Sequence, residues 1–180
     1  AEAGVVVGFL AGHPVLAIQA LLHAGTEAQR QQWLPGLASG ETLATVAHRE
    51  AASGEDPAGW TVVARQQDGR WVLDGVKQAV WFAGAAHCLV VAAHLGNAQG
   101  DIGWFIVGKP QMAGPVWQWA SPDGGRIDAR LTAGPAPGGM VRHDLHLRGL
   151  TLPADALLGA ETVPGQGGAA YMAGWSLCRL

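Results

Sequence analysis

Leu43-Ala44-Thr45-Val46-Ala47-His48-Arg49-Glu50 opens a stretch, running to Val91, whose reading decides the fold. It enters the turn Ala52-Ser53-Gly54-Glu55-Asp56 and continues as Trp60-Thr61-Val62-Val63-Ala64-Arg65. Asp68-Gly69, Arg70-Trp71-Val72-Leu73, Asp74-Gly75 and Lys77-Gln78-Ala79-Val80-Trp81 follow, before the apolar run Ala86-His87-Cys88-Leu89-Val90-Val91. Asp-Gly between alternating runs signals a hairpin, because both central residues accept positive φ. Two such turns in quick succession predict a tight antiparallel meander.

Downstream the same texture persists. Strands are expected over 43–48, 61–66, 70–73, 78–82, 88–94, 104–108, 116–120, 126–131 and 144–152. Short strands at this spacing, broken by Gly-rich turns, predict a closed barrel or sandwich. The stretches 95–101 and 133–140 read as exposed loops. Upstream, Val15, Leu16, Ile18, Leu21 and Leu22 fall at helical spacing between Pro14 and Ala24, with Gly25 as the stop. Thr26 and Gln29 form a capping-box pattern for a second helix over 27–34, which Pro35-Gly36 ends or bends. Pro164-Gly165-Gln166-Gly167-Gly168 reads as a linker, and a helix restarts over 169–180 with Tyr171, Met172, Trp175 and Cys178 apolar. The fold class is α+β: a mostly antiparallel β-barrel or sandwich middle domain flanked by short pieces of all-α domains.

The 180 residues are 49% apolar, enough for a buried core. A net charge of -3 with no Lys/Arg cluster argues against a nucleic-acid partner. Cys88 and Cys178 sit in unrelated apolar contexts and read as thiols of a reducing, cytoplasmic compartment. No stretch reads as a membrane span, and the apolar Val5–Leu10 lacks the basic lead of a signal peptide. The chain starts without Met and stops within a helical pattern, so both ends read as cut.

Common catalytic signatures are missing. His143-Asp144-Leu145-His146 has metal-ligand chemistry, but residues three apart on a strand face opposite ways, so no metal site is expected. No Gly-x-Ser-x-Gly elbow or Gly-rich phosphate loop occurs. His87 and Cys88 diverge on a strand, and Lys77 reads as an ion-pair or turn residue rather than a base.

The order of three motifs resembles the middle β-domain of the acyl-CoA dehydrogenase family. They are Arg49-Glu50-Ala51-Ala52-Ser53-Gly54-Glu55-Asp56, Leu73-Asp74-Gly75-Val76-Lys77 and Ala86-His87-Cys88-Leu89-Val90-Val91, with Glu50, Gly54, Asp56, Gly75, Lys77 and Ala86 matching the family pattern. Gly25 to Glu41 resembles the family's last helix and loop before that domain, and Leu152 to Gly159 the segment that closes it. The resemblance implies residues 1–41 as the end of an N-terminal helical domain, 42–159 as the β-domain, and 160–180 as a linker and the start of a C-terminal helical domain.

It also implies a flavoprotein oxidoreductase of acyl-CoA and fatty acid metabolism, with FAD as cofactor and an acyl-CoA or related thioester as substrate. A proton leaves the α carbon and a hydride passes from the β carbon to the flavin. A flavin ring needs a flat apolar wall and donors that stabilise the charge of its reduced form. Carried over by position, the wall is Ala47, His48 and Arg49 with Ala79, Val80 and Trp81. Arg49 and Trp81 stand where the family has hydroxyls, and Ala79 where it has an aromatic ring. Glu55 replaces a Ser near the thioester, and is the substrate-contact candidate. The family's base comes from the C-terminal helical domain, so none of these residues is expected to be catalytic. A homo-oligomer is implied for the complete protein. A non-catalytic relative and an unrelated β-barrel binding module are the alternatives. The end helices are expected to expose an apolar patch around Val15, Leu22, Met172 and Trp175.

Overall fold

The computed structural model describes residues 14–52, 56–97, 101–108, 114–134 and 140–159. Glu55, the 164–168 linker, and the 169–180 helix with Met172, Trp175 and Cys178 lie outside the described residues.

Two helices lead. The first covers 14–24 and is labelled α1. The second, α2, spans Glu27–Ser39, and its Thr26/Gln29 capping box is complete. Pro35 does not end it; Gly40, left-handed at φ 79°, does. Among the described residues eight strands follow: β1 Ala44–Ala47, β2 Val63–Gln67, β3 Arg70–Trp81, β4 Cys88–Leu95, β5 Ile102–Gly108, β6 Val116–Ala120, β7 Arg126–Leu131 and β8 Arg142–Leu152.

They form one mixed sheet, and the protein is α+β. β1 and β2 lie end to end along one edge of β4, both parallel to it, and β5 runs antiparallel on the other edge. The path continues antiparallel through β2, β3, β8, β7 and β6. The meander expected from residues 43–91 is thus interrupted, because β4 returns past the β2–β3 hairpin to pair with β1. Among the described residues β5 and β6 are the two ends of the path, with no ladder between them.

Of the two Asp-Gly pairs in the 43–91 stretch, only the first is a hairpin turn. At Asp68-Gly69 both residues have positive φ, 50° and 74°. Asp74-Gly75 lies inside β3, which absorbs the separate strands expected over 70–73 and 78–82. The reason is tertiary: β8 offers a partner along the whole of β3, and the Asp74 carboxylate accepts from the Gly149 amide at 2.6 Å. Glycine is still required at 75, where φ is 134° and a Cβ would come within 2.7 Å of Val62 Cγ2.

β4 is buried on both faces, which accounts for its unbroken apolar sequence. Leu89, Val91 and Ala93 join a core inside the curl of the sheet with Leu73, Phe105 and Leu145. Cys88, Val90 and Ala92 join a second core against the helices. The buried stripe of α1 is Leu16, Ala17, Ala20 and Leu21. Of the residues expected in an apolar patch, Leu22 faces out at 45% exposure and Val15 is half-buried, while Met172 and Trp175 lie outside the described residues.

Gln29 fastens α2 to the far end of the sheet. Its amide donates to the carbonyls of Asp155 and Leu157 at 2.7 and 3.0 Å, and its Oε1 accepts from the amides of Thr26 and Gly159 at 2.8 and 3.3 Å. Among the described residues no helix is long and apolar enough to cross a membrane.

Candidate functional site

The two stretches that the motifs single out meet at the ends of β1 and β3. The Gln78 amide donates to the Arg49 carbonyl at 2.8 Å, and the Thr45 hydroxyl to the Trp81 carbonyl at 2.7 Å. Sequence distance hides this junction; the crossing of β3 beside β1 creates it.

A bulge shapes β3 there. Lys77 pairs with Leu145 and Val80 with His143, so β3 has one residue more than β8 between the two pairs. Without the extra residue, Lys77 and Val80 would face opposite ways. With it, both turn inward. Ala79 sits in the bulge at φ 51°, a left-handed conformation that costs a non-glycine residue energy. Its amide leaves the ladder and donates to Asp144 Oδ1 at 2.9 Å; the Thr132 hydroxyl donates to the same oxygen at 2.7 Å.

Lys77 makes an ion pair behind this wall, as its sequence context suggested. Its ammonium lies 2.5 Å from Glu50 Oε1, 3.2 Å from the His48 carbonyl and 4.6 Å from the centre of the Trp60 ring. Glu50 Oε2 accepts from the Thr61 amide and hydroxyl at 2.6 and 2.7 Å, and Oε1 from the Val62 amide at 3.2 Å. One carboxylate thus ties the end of β1 to the approach to β2. Burial pushes the Lys77 ammonium down to about 8, with Glu50 opposing the change. For Glu50 burial acts against the charge, but the charge and hydrogen bonds of Lys77, with those of Thr61, outweigh it and hold the carboxyl below its ordinary value.

The six residues expected at a cofactor wall divide by burial. Ala47 and Val80 belong to the inner core, at 0% and 2% exposure, so they back the wall rather than face a ligand. His48 is buried beside the Trp60 ring, 6.2 Å between centroids. Arg49 and Ala79 are half-buried. Trp81 is buried, with the Arg142 guanidinium 5.2 Å from its ring centre. Arg142, Thr132 and Asp144 were not among the expected site residues. The sequence marked Asp144 only through its neighbouring histidines, and those fall on opposite faces of β8: His143 pairs with Val80, buried, and His146 with Val76, half-buried.

A separate cleft of about 370 Å³ lies between α2 and the sheet, lined by Trp33, Ile106, Trp119, Ser121, Pro122 and Pro153 among others. None of the six expected wall residues lines it.

Comparison with known proteins bears on this site. Residues 1–41 match the family described as "Acyl-CoA dehydrogenase, N-terminal domain". The chain is 29% identical over 165 residues to (2S)-methylsuccinyl-CoA dehydrogenase of Cereibacter sphaeroides, covering 89% of this chain and 29% of that protein. It is 35% identical over 99 residues to isovaleryl-CoA dehydrogenase of Arabidopsis thaliana, covering 54% of this chain and 24% of that protein. In fold it is similar to a glutaryl-CoA dehydrogenase from Mycobacterium smegmatis in complex with FADH2, with a TM-score of 0.76 at 23% identity over 94% of this chain and 39% of that one. The chain therefore spans 29% or less of the length of these two curated relatives. The motif order, the fold and these matches agree in one direction: the chain is similar to members of the acyl-CoA dehydrogenase family.

Proposed function

We propose that this chain builds one wall of the flavin site of an FAD-dependent acyl-CoA dehydrogenase-like oxidoreductase acting on an acyl-CoA or related thioester. The observation that carries this reading is the hydrogen bond from the Gln78 amide to the Arg49 carbonyl, which joins the two wall segments into one surface. FADH2 in the similarly folded glutaryl-CoA dehydrogenase supports the choice of cofactor.

The residues present fit a flavin. Arg49 and Ala79 give a half-buried surface, backed by the closed packing of Ala47 and Val80. Bound FAD supplies the hydride acceptor. Arg49 carries a permanent positive charge that favours negative charge building up on the cofactor. The small side chain of Ala79 keeps the wall low, and the inner core keeps water from reaching it from behind. Glu50 and Asp144, the carboxylates fastened to this wall, already serve Lys77, Thr61, Ala79 and Thr132. We therefore assign the α-proton base to sequence outside these residues, in the part of the relatives that the chain does not span.

The same reading takes 1–41, 42–159 and 160–180 as pieces of an N-terminal helical domain, a β-domain and the linker into a C-terminal domain. It takes Glu55 as a contact near the thioester, the complete protein as a homo-oligomer, and its compartment as the cytoplasm, which suits the buried thiol of Cys88.

Titration of the intact protein with FAD, followed by visible absorption and flavin fluorescence, tests the reading. A yellow protein that bleaches on adding one of a panel of acyl-CoA thioesters is the expected result. A protein that stays colourless at saturating FAD overturns it in favour of a non-catalytic relative, whose altered positions Arg49, Ala79 and Trp81 have lost the cofactor.

A further inference from the structure

β3 and β8 carry two bulges, and each is pinned by an aspartate on the facing strand. In the first, Leu73 pairs with Leu150 and Gly75 with Leu147, so the extra residue is in β8. The Gly149 amide there turns to Asp74 Oδ1 at 2.6 Å. In the second, between Lys77 and Val80, the extra residue is in β3, and the Ala79 amide turns to Asp144 Oδ1 at 2.9 Å. The two are built alike but are not equivalent. The first puts glycine at positive φ, 55° at Gly149, and Asp74 is exposed. The second puts alanine there, and a second donor, the Thr132 hydroxyl, fixes the acceptor oxygen.

From this geometry we infer that Asp144 is a positioning residue for the cofactor wall, acting through the Ala79 bulge; the inference rests on the flavin reading above. An alanine at φ 51° stays there only while its surroundings hold it. The amide–carboxylate bond is that hold, because a half-buried N–H deprived of its acceptor is costly. The residue before Ala79 bonds the Arg49 carbonyl, and the residues after it are Val80 and Trp81, so one carboxylate oxygen governs both wall segments. The parity of the strand makes the control sharp. Removing the extra residue from the register would exchange the faces of Val80 and Trp81 and take Trp81 away from Arg142. Thr132 completes the brace: its hydroxyl orients Asp144 while its amide bonds the Arg142 carbonyl at 2.9 Å.

The test compares the intact wild-type protein with Asp144→Ala, Asp144→Asn and Thr132→Val, with Asp128→Ala as a control on the neighbouring strand. Asp128 bonds Arg126 and Arg148 and touches no wall residue in those contacts. FAD affinity is read by flavin fluorescence, the set of the ring by visible circular dichroism of the bound flavin, and folding of the apoprotein by far-UV circular dichroism. Asp144→Ala is expected to weaken FAD binding by about tenfold or more and to change the visible signal, the scale set by a lost buried acceptor. Asp144→Asn keeps an oxygen acceptor and is expected to stay within about threefold of wild type. Should Asp144→Ala not fold, Thr132→Val, which leaves the carboxylate in place, is expected to change the visible signal by itself. Wild-type affinity and signal in the folded Asp144→Ala and Thr132→Val proteins, with wild type binding FAD, overturn this inference and leave the flavin reading intact. An equal loss in Asp128→Ala also overturns it, since general loosening of the sheet then explains the effect. A wild-type protein that takes up no FAD overturns the flavin reading and this inference with it.

Discussion

Lys77 and Glu50 form a buried ion pair, Nζ to Oε1 at 2.5 Å, that joins β3 to the end of β1. Removing one partner leaves the other charged and buried. Lys77→Met and Glu50→Ala are each expected to destabilise the protein by about 3–5 kcal/mol. The double variant Glu50→Ala with Lys77→Met is expected to lose less than the sum of its parts. Urea unfolding of all three, read as a double-mutant cycle, checks the coupling; additive losses would show that the pair does not act as a unit.

Acid should weaken this junction. The carboxyl of Glu50 is held below its ordinary 4.5, so the unfolded chain takes up the proton first as pH falls. The stabilisation is complete above the unfolded value and is lost as pH drops from about 4.5 through the folded value. Unfolding free energies at intervals from pH 6 to pH 3 are expected to fall more steeply for wild type than for Glu50→Gln below 4.5. Parallel curves would contradict the assignment.

Two positive-φ positions in β3 should respond in opposite directions. Gly75→Ala meets Val62 Cγ2 at 2.7 Å and a φ of 134°, and is expected to cost about 2 kcal/mol or more. Ala79→Gly relieves a left-handed alanine worth about 1–2 kcal/mol while freeing the unfolded chain by about 0.4–1 kcal/mol. Its net effect is expected to be neutral to stabilising. Thermal melts decide; a clear loss for Ala79→Gly would mean the alanine methyl makes a contact worth more than the strain.

Gln29 bridges helix and sheet with both ends of its amide. Gln29→Ala removes the capping-box partner and strands the Asp155 and Leu157 carbonyls, so a loss of about 2–3 kcal/mol is expected. Gln29→Glu keeps the acceptor but not the donor and should not restore it. Hydrogen exchange at residues 153–159 should rise in both; unchanged exchange there would mean that other contacts hold the joint.

Exposed ion pairs should matter less. Arg126 and Arg148 both bond Asp128, but both arginines are more than half exposed. Arg148→Ala is expected to change stability by less than about 1 kcal/mol, and less still in high salt.

Much of this protein is legible in its residues. The capping box at Thr26 and Gln29, the hairpin at Asp68-Gly69, the apolar run of β4 and the α+β class follow from local physics: capping, positive φ and burial periodicity act over a few neighbours. The motif order around Glu50, Gly75 and Lys77 was enough to show the resemblance to the acyl-CoA dehydrogenase family. Asp74-Gly75 shows where local reading stops. The dipeptide permits a turn, yet β8 lies alongside and pairing through it satisfies more backbone groups. Pro35 likewise allowed a helix end that Gly40 supplied instead. The parallel seating of β1 and β2 against β4, the bulge at Ala79 and the brace from Asp144 are settled only in three dimensions. They depend on which strand arrives beside which, and an amide that leaves the ladder takes its acceptor from a residue 65 positions away in the chain.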